Sequence, residues 1–172
     1  MTVSYINTEL FNERILIKHK YLNTKNIDNH VYNELSKKIE GKCYNNGYVI
    51  ADKIEMINKT LGKPINVDSE NYIGYNVRFK ATLIQPGIDD IIECYINNVN
   101  KMGIIAFIKY KDIIDEGENN GFEGSPLLII IPLQTYEDHE NLNVGQKINV
   151  TVKAVRVKYN ANKIQLVCEI VE

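Results

Sequence analysis

Cysteine is scarce in this chain, with Cys43, Cys94 and Cys168 the three among 172 residues, widely spaced and set beside apolar, strand-like neighbours. An odd count in such surroundings excludes a disulfide framework and points to reduced, packed thiols of a cytosolic or nuclear protein. Basic charge is not in excess either. Net charge is −2 and the isoelectric point about 6.0, so the whole chain lacks the footprint of a tight, nonspecific nucleic-acid binder. Arginine occurs only at Arg14, Arg78 and Arg156, whereas Lys, Asn, Ile and Tyr, the residues of AT-rich codons, are abundant. No apolar run approaches the length of roughly 20 residues that spans a bilayer, and the N-terminus shows no apolar signal core. A soluble protein with no membrane partner is expected.

Reactive constellations are equally sparse. His19, His30 and His139 have no cysteine at ligand spacing, which argues against zinc. Asp138, His139 and Glu140 read as a solvated acidic loop. Lys63 follows Gly62 outside any phosphate-binding frame, and Ser125 precedes Pro126 without a nucleophile elbow. The expectation is no catalytic residue, no metal and no cofactor.

What is present is hydrophobic pattern, and 44% hydrophobic residues suffice for a core. Ile15 and Ile17 alternate with Arg14, Leu16 and Lys18 as a strand with one buried face. Ile27, Val31, Leu35 and Ile39 then recur every four residues, a helical stripe with Asn26 as N-cap and Gly41 as terminator. Strands follow over residues 48 to 56 and 72 to 83, the second with Tyr75, Val77, Phe79, Ala81 and Leu83 on one face. Between them the turn-rich residues 57 to 71 are expected to project as a loop. Together these predict an α+β N-terminal domain, a small antiparallel sheet with one helix, over residues 1 to 87. Residues 88 to 172 then predict an all-β five-stranded OB-fold barrel, from strands at 90–98, 103–109, 127–132, 147–156 and 163–171. Residues 112 to 124, with five acidic residues and three glycines, read as an exposed acidic loop. The halves differ in charge. The first carries twelve Lys and Arg against nine Asp and Glu, the second eight against thirteen, so the barrel half is net −5.

The order Gly41, Lys42, Cys43, then Gly47, Tyr48, Val49, Ile50, an alternating strand to Ile84 and Pro86-Gly87 resembles one family across its domain junction. Residues 90 to 96 and 103 to 107 continue the likeness. The family is the stalk subunit of multisubunit DNA-directed RNA polymerases, known as subunit seven in the eukaryotic enzyme and present as its counterpart in the archaeal one. The resemblance implies a non-catalytic subunit that docks on the polymerase core, against the largest subunit and the small subunit beside the clamp, with a small helical stalk partner. It also places the OB domain near the RNA exit path. With the AT-rich composition, it makes a large DNA virus of eukaryotes the preferred source, an AT-rich protist being the alternative. Nucleus or cytoplasm, or for a virus the cytoplasmic factory and the virion, would be its location.

Two surfaces are then candidates. The docking tip implied by the resemblance comprises Ile57, Lys59, Leu61, Gly62, Lys63 and Pro64. On the barrel, Lys101, Lys109, Tyr110, Lys111, Lys153, Arg156, Lys158 and Tyr159 combine cations and rings as single-stranded RNA requires. Phe107, in the apolar run from Ile104 to Ile108, is assigned to the core. Gly124-Ser125-Pro126-Leu127 stands where many RNA-binding domains of this type carry a Gly-x-hydrophobic-His-hydrophobic-Ser signature, so nascent RNA is expected to bind weakly. The rival reading is a free-standing OB-fold RNA-binding protein of translation or RNA decay.

Overall fold

The computed structural model describes residues 4–22, 25–113, 120–132 and 141–171. The chain forms two compact units, one of Asn7–Gly41 and Val49–Leu83, the other of Met1–Ile6, Lys42–Tyr48 and Ile84–Glu172.

In the first unit, β1 (Ile6–Lys18) and β3 (Gly47–Lys59) flank β5 (Glu70–Ile84), and helix α1 (Ile27–Ile39) carries the buried Val31, Leu35 and Ile39. The four-residue spacing thus marks the buried stripe, and each such side chain contributes about 1.5–3 kcal/mol by leaving water. The helix ends one residue ahead of Gly41, at Glu40, whose backbone is already extended at ψ 141° while its amide donates to the Ser36 carbonyl. Gly41 follows at φ 66°, a left-handed conformation glycine enters without cost, and its amide donates to the Val49 carbonyl at 2.9 Å and not back to the helix. Asn26 occupies the N-cap position but caps with its backbone, not its side chain: its carbonyl accepts from the amides of Asn29 and His30. The strands bury Ile15, Ile17, Val77, Phe79, Ala81 and Leu83 in the same core.

Residues 57 to 71 are not a loop. They contain the end of β3, strand β4 (Lys63–Val67) and the start of β5, with β4 and β5 in antiparallel register from Lys63↔Gly74 to Val67↔Glu70. Asp68 and Ser69, at φ 48° and 67°, form a two-residue turn of the type that joins twisted strands tightly. Thr60 lies opposite Asn76, its amide donating to the Asn76 carbonyl at 2.9 Å, so β3 and β4 run as successive parts of one arm along β5. Pro64 read as a breaker, yet a strand at the margin of a sheet has no need of its missing N–H.

The second unit is a closed barrel in the order β10-β8-β7-β6-β9, built from β6 (Ile91–Asn100), β7 (Gly103–Phe107), β8 (Leu127–Pro132), β9 (Lys147–Arg156) and β10 (Ile164–Ile170). β10 and β8 pair in parallel, the other neighbours antiparallel. Alternation fills it: Ile92, Cys94 and Ile96, then Ile104 and Ala106, Ile129 and Ile131, Val150 and Val152, Leu166 and Cys168 are buried. This is the OB arrangement expected. Gly103 is required at its place, since a Cβ there would strike the Ile131 carbonyl oxygen and its φ is +152°. The short strand β2 (Cys43–Tyr44) pairs with the first residues of β3, Cys43↔Tyr48, and belongs to this unit.

Cys43, Cys94 and Cys168 are free and buried, as expected, and burial pushes the Cys94 thiol up to about 12. Residues 114 to 119 of the acidic segment, and Asp138, His139 and Glu140, lie outside the described residues.

Candidate docking hairpin and nucleic-acid interface

Of the six residues at the tip, the arm exposes some and holds others. Leu61 is 90% exposed, an apolar side chain presented to water on a well-paired scaffold, and Ile57 is 42% exposed. Lys63 and Pro64 are exposed on β4. Lys59 is held within its own unit, Nζ lying 3.0 Å from Asp28 Oδ1 and 5.5 Å from the Tyr75 ring centroid. Gly62 is a spacing requirement: a Cβ there would meet Ile73 Cγ2 and the Tyr75 ring. Of the six, the exposed side chains are therefore those of Ile57, Leu61, Lys63 and Pro64, three apolar and one cationic, among the exposed polar residues Asn58, Thr60 and Asn66.

On the barrel, register decides which candidates share an end. Ile91 pairs with Thr151, Tyr95 with Phe107, Gln165 with Arg156 and Ile164 with Leu127, so the end of β7, the end of β9 and the start of β10 lie at one mouth. Lys109, Tyr110 and Lys111 leave β7 there, and Arg156, Lys158 and Tyr159 leave β9 there. Lys101 lies in the β6–β7 turn at the opposite mouth, and Lys153 is in mid-strand, 3.2 Å from Glu169. Tyr159 is 63% exposed, its ring 6.5 Å from that of Tyr44.

A row of rings on the outer face escaped the sequence reading. Phe107 is not in the core: Ile104, Ala106 and Ile108 point inward, leaving Phe107 half-buried outside, 6.0 Å from Tyr95 and 6.1 Å from Phe122, edge-on to the latter. The Lys109 ammonium lies 4.0 Å above the Tyr95 ring and that of Lys147 5.9 Å from it, while Lys147 also pairs with Glu93 at 2.6 Å. The Tyr95 hydroxyl is pushed up, first by burial and then by a hydrogen bond with Asp112. Tyr95 and Phe107 could have been found from sequence as cross-strand partners once the phase of β7 was fixed; Phe122 carried no such signal.

Lys163 performs a separate task. Its ammonium donates to the carbonyls of Phe122, Glu123 and Ser125 at 2.5, 3.0 and 2.8 Å and lies 4.9 Å from the Phe122 ring centroid, so it fastens the turn before β8. Burial holds its pKa below the ordinary lysine value. The buried Ser125 Oγ completes that turn, donating to the Leu127 carbonyl at 2.8 Å and accepting from the Ile108 amide at 3.2 Å. Among the described residues, no group of His, Cys, Asp and Glu is placed to hold a metal ion, and no helix is long and apolar enough to cross a membrane.

No family model matches the chain. It is 26% identical over 159 residues to "DNA-directed RNA polymerase II subunit 7" of Arabidopsis thaliana, covering 92% of this chain and 77% of that protein. With "DNA-directed RNA polymerase II subunit RPB7" of Glycine max it shares 29% identity over 148 residues, 85% of this chain and 73% of that one. The alignments are long enough to run through both units, and the sheet-and-helix unit and the barrel are those expected of the resemblance. Along most of its length the chain is thus similar to subunit 7 proteins of RNA polymerase II, the stalk-subunit family that its sequence pattern resembles.

Proposed function

We propose that this chain is a non-catalytic stalk subunit of a DNA-directed RNA polymerase, working in the nucleus or cytoplasm of a eukaryotic cell. The observation that carries the reading is the alignment with subunit 7 proteins over 92% and 85% of the chain. In this reading residues 1 to 87 dock and residues 88 to 172 meet RNA. The arm bearing Ile57, Leu61, Lys63 and Pro64 seats on the polymerase core beside the clamp, against the largest subunit and its small neighbour, and a small helical protein completes the stalk. An exposed leucine on a rigid hairpin suits this task, because a few buried anchors carry most of an interface's energy.

The barrel then stands near the exit path and handles emerging RNA weakly. Tyr95 and Phe107 offer ring faces, and Lys109, Lys111, Arg156 and Lys158 offer cations at the adjoining mouth. Lys109 now covers Tyr95, a contact of about 0.5–1 kcal/mol at an exposed site. Stacking of a base is worth about 1–3 kcal/mol, so a base displaces the ammonium towards its own phosphate.

Affinity purification of the tagged chain followed by mass spectrometry tests the assignment. Stoichiometric recovery of the largest polymerase subunit is the expected result. Recovery of RNA and ribosomal proteins without polymerase would replace the stalk reading by that of a free-standing RNA-binding protein.

A further inference from the structure

We propose that the cleft between α1 and the outer edge of β1 is a binding site for an extended acidic peptide, needing neither the docking arm nor the barrel. Two cavities of about 520 and 380 Å³ have Leu16, Glu34 and Lys37 in common and so adjoin, a channel in two parts along the strand and helix. Arg14, Ile15, Leu16, Ile17 and Lys18 line it one after another. Successive residues of a strand point to opposite faces, so a cavity touched by each in turn opens on the strand's edge. β1 stands at the end of the strand order, with β5 its one neighbour there.

The lining has the opposite sign to the proposed ligand. Glu34 is the one acid in the channel, and it is already paired with Lys37 at 3.2 Å, while Arg14, Lys18, Lys20 and Lys38 add cations. Lys18 pairs with Glu70 at 3.5 Å and Lys38 with Glu13 at 2.6 Å, partly exposed contacts of the kind that exchange readily for an incoming carboxylate. Arg14 and Lys20 form no ion pair among the described residues; the Lys20 ammonium rests 4.9 Å from the Tyr21 ring centroid. That ring stacks on His30 at 5.1 Å, and both line the larger of the two cavities. A strand edge favours a peptide over a polyphosphate chain. Main-chain pairing along β1 supplies affinity and alternate acidic side chains meeting the lysines supply selection.

The test uses the full-length chain and a fluorescein-labelled peptide of about ten residues alternating Glu and Val, a composition suited to strand addition. Fluorescence anisotropy should show saturable binding that weakens with salt. Lys20→Glu and Lys37→Glu should each weaken it about tenfold, since a like charge then faces each carboxylate. Lys53→Glu, at an exposed position on β3, should leave it unchanged. Hydrogen exchange of amides 14 to 18 should slow when the peptide is bound. If circular dichroism shows either reversal to be unfolded, Lys20→Gln and Lys37→Gln replace it with a smaller expected loss. Absence of saturable binding, equal affinity in the lysine variants, unprotected amides at 14 to 18, or displacement of the peptide by oligouridylate would each overturn the proposal.

Discussion

The backbone amide of Asn160 donates to the carbonyl of Cys43 at 2.8 Å, and the Cys43 amide donates to the Ala161 carbonyl at the same distance. The β9–β10 turn is thereby joined to a segment far earlier in the chain, and Asn160 makes the bond from a left-handed backbone, φ 65°. Asparagine tolerates that conformation; a β-branched residue does not. Asn160→Val should lower stability by about 1–2 kcal/mol, whereas Asn160→Gly should stay near the parent. Urea denaturation of both variants checks the difference, and equal midpoints would show that the turn bears no strain.

Docking through the arm predicts a loss of association without a loss of fold. Leu61→Asp combined with Lys63→Asp changes two exposed residues, so the thermal midpoint should hold. Pressed into a polymerase interface, however, an unpartnered carboxylate costs several kcal/mol, about 3–5 for broken buried pairs. The double variant should fail to copurify with polymerase. Undiminished recovery would move the contact elsewhere.

Gly62 should be sensitive for a different reason. A Cβ there meets the Ile73 methyl and the Tyr75 ring, whereas at Gly121 it meets nothing within 4 Å. Gly62→Ala is expected to cost about 1–3 kcal/mol through forced displacement of packed side chains. Gly121→Ala should be neutral in the same calorimetric scan.

RNA binding by the full chain should be weak, tens of micromolar or poorer by the measure of nonspecific contacts, and should fall as salt rises. Replacing Lys109, Lys111 and Lys158 by Glu should abolish it, and Phe107→Ala should weaken it without changing the salt slope, because a ring releases no counterions. Anisotropy with labelled oligouridylate at several salt concentrations separates the two effects. A sub-micromolar affinity independent of salt would show dedicated base recognition instead.

Alkaline pH should destabilise the protein ahead of any change in its surface contacts. Burial raises the Cys94 thiol from 9.0 to about 12, and Cys168 rises similarly. Above pH 9 the unfolded chain releases a proton that the folded chain keeps, so stability is full below pH 9 and declines towards pH 12. The slope for one such group is at most about 1.4 kcal/mol per pH unit. Burial likewise raises the Tyr5 and Tyr48 hydroxyls from 10.0 to about 12, steepening the decline above pH 10. Urea midpoints at pH 8 and pH 10 should differ less in Cys94→Ala than in the parent.

How far such features could be read in advance depended on whether the signal was local. Helix α1 was legible to the residue because its stripe of Val31, Leu35 and Ile39 has one period and one phase. The barrel strands were legible for the same reason, save where apolar residues run consecutively: from Ile104 to Ile108 either phase is permitted, and the one that placed Phe107 inside is not adopted. The arm was misread because Gly62, Pro64, Asp68 and Ser69 are all turn formers, yet the two-residue turn occupies only Asp68 and Ser69. Of the barrel candidates, Lys109 to Lys111 and Arg156 to Tyr159 converge as the strand order required. Lys153 was beyond reach, because its partner Glu169 is fixed by register, and so was the Lys163 clamp on three carbonyls, which exists only in three dimensions.

The interleaving of the two units sets an order on synthesis. Every residue of the unit made of Asn7–Gly41 and Val49–Leu83 has been translated before β6 is begun, so that unit can close while the ribosome still works. Lys42–Tyr48 belongs to the other unit and must wait: the amide and carbonyl of Cys43 stay bonded to water until Asn160 and Ala161 leave the exit tunnel. A ribosome stalled within β9 would hold a finished arm on an open barrel. Its truncated product could compete for whatever the arm seats on while bringing no barrel with it.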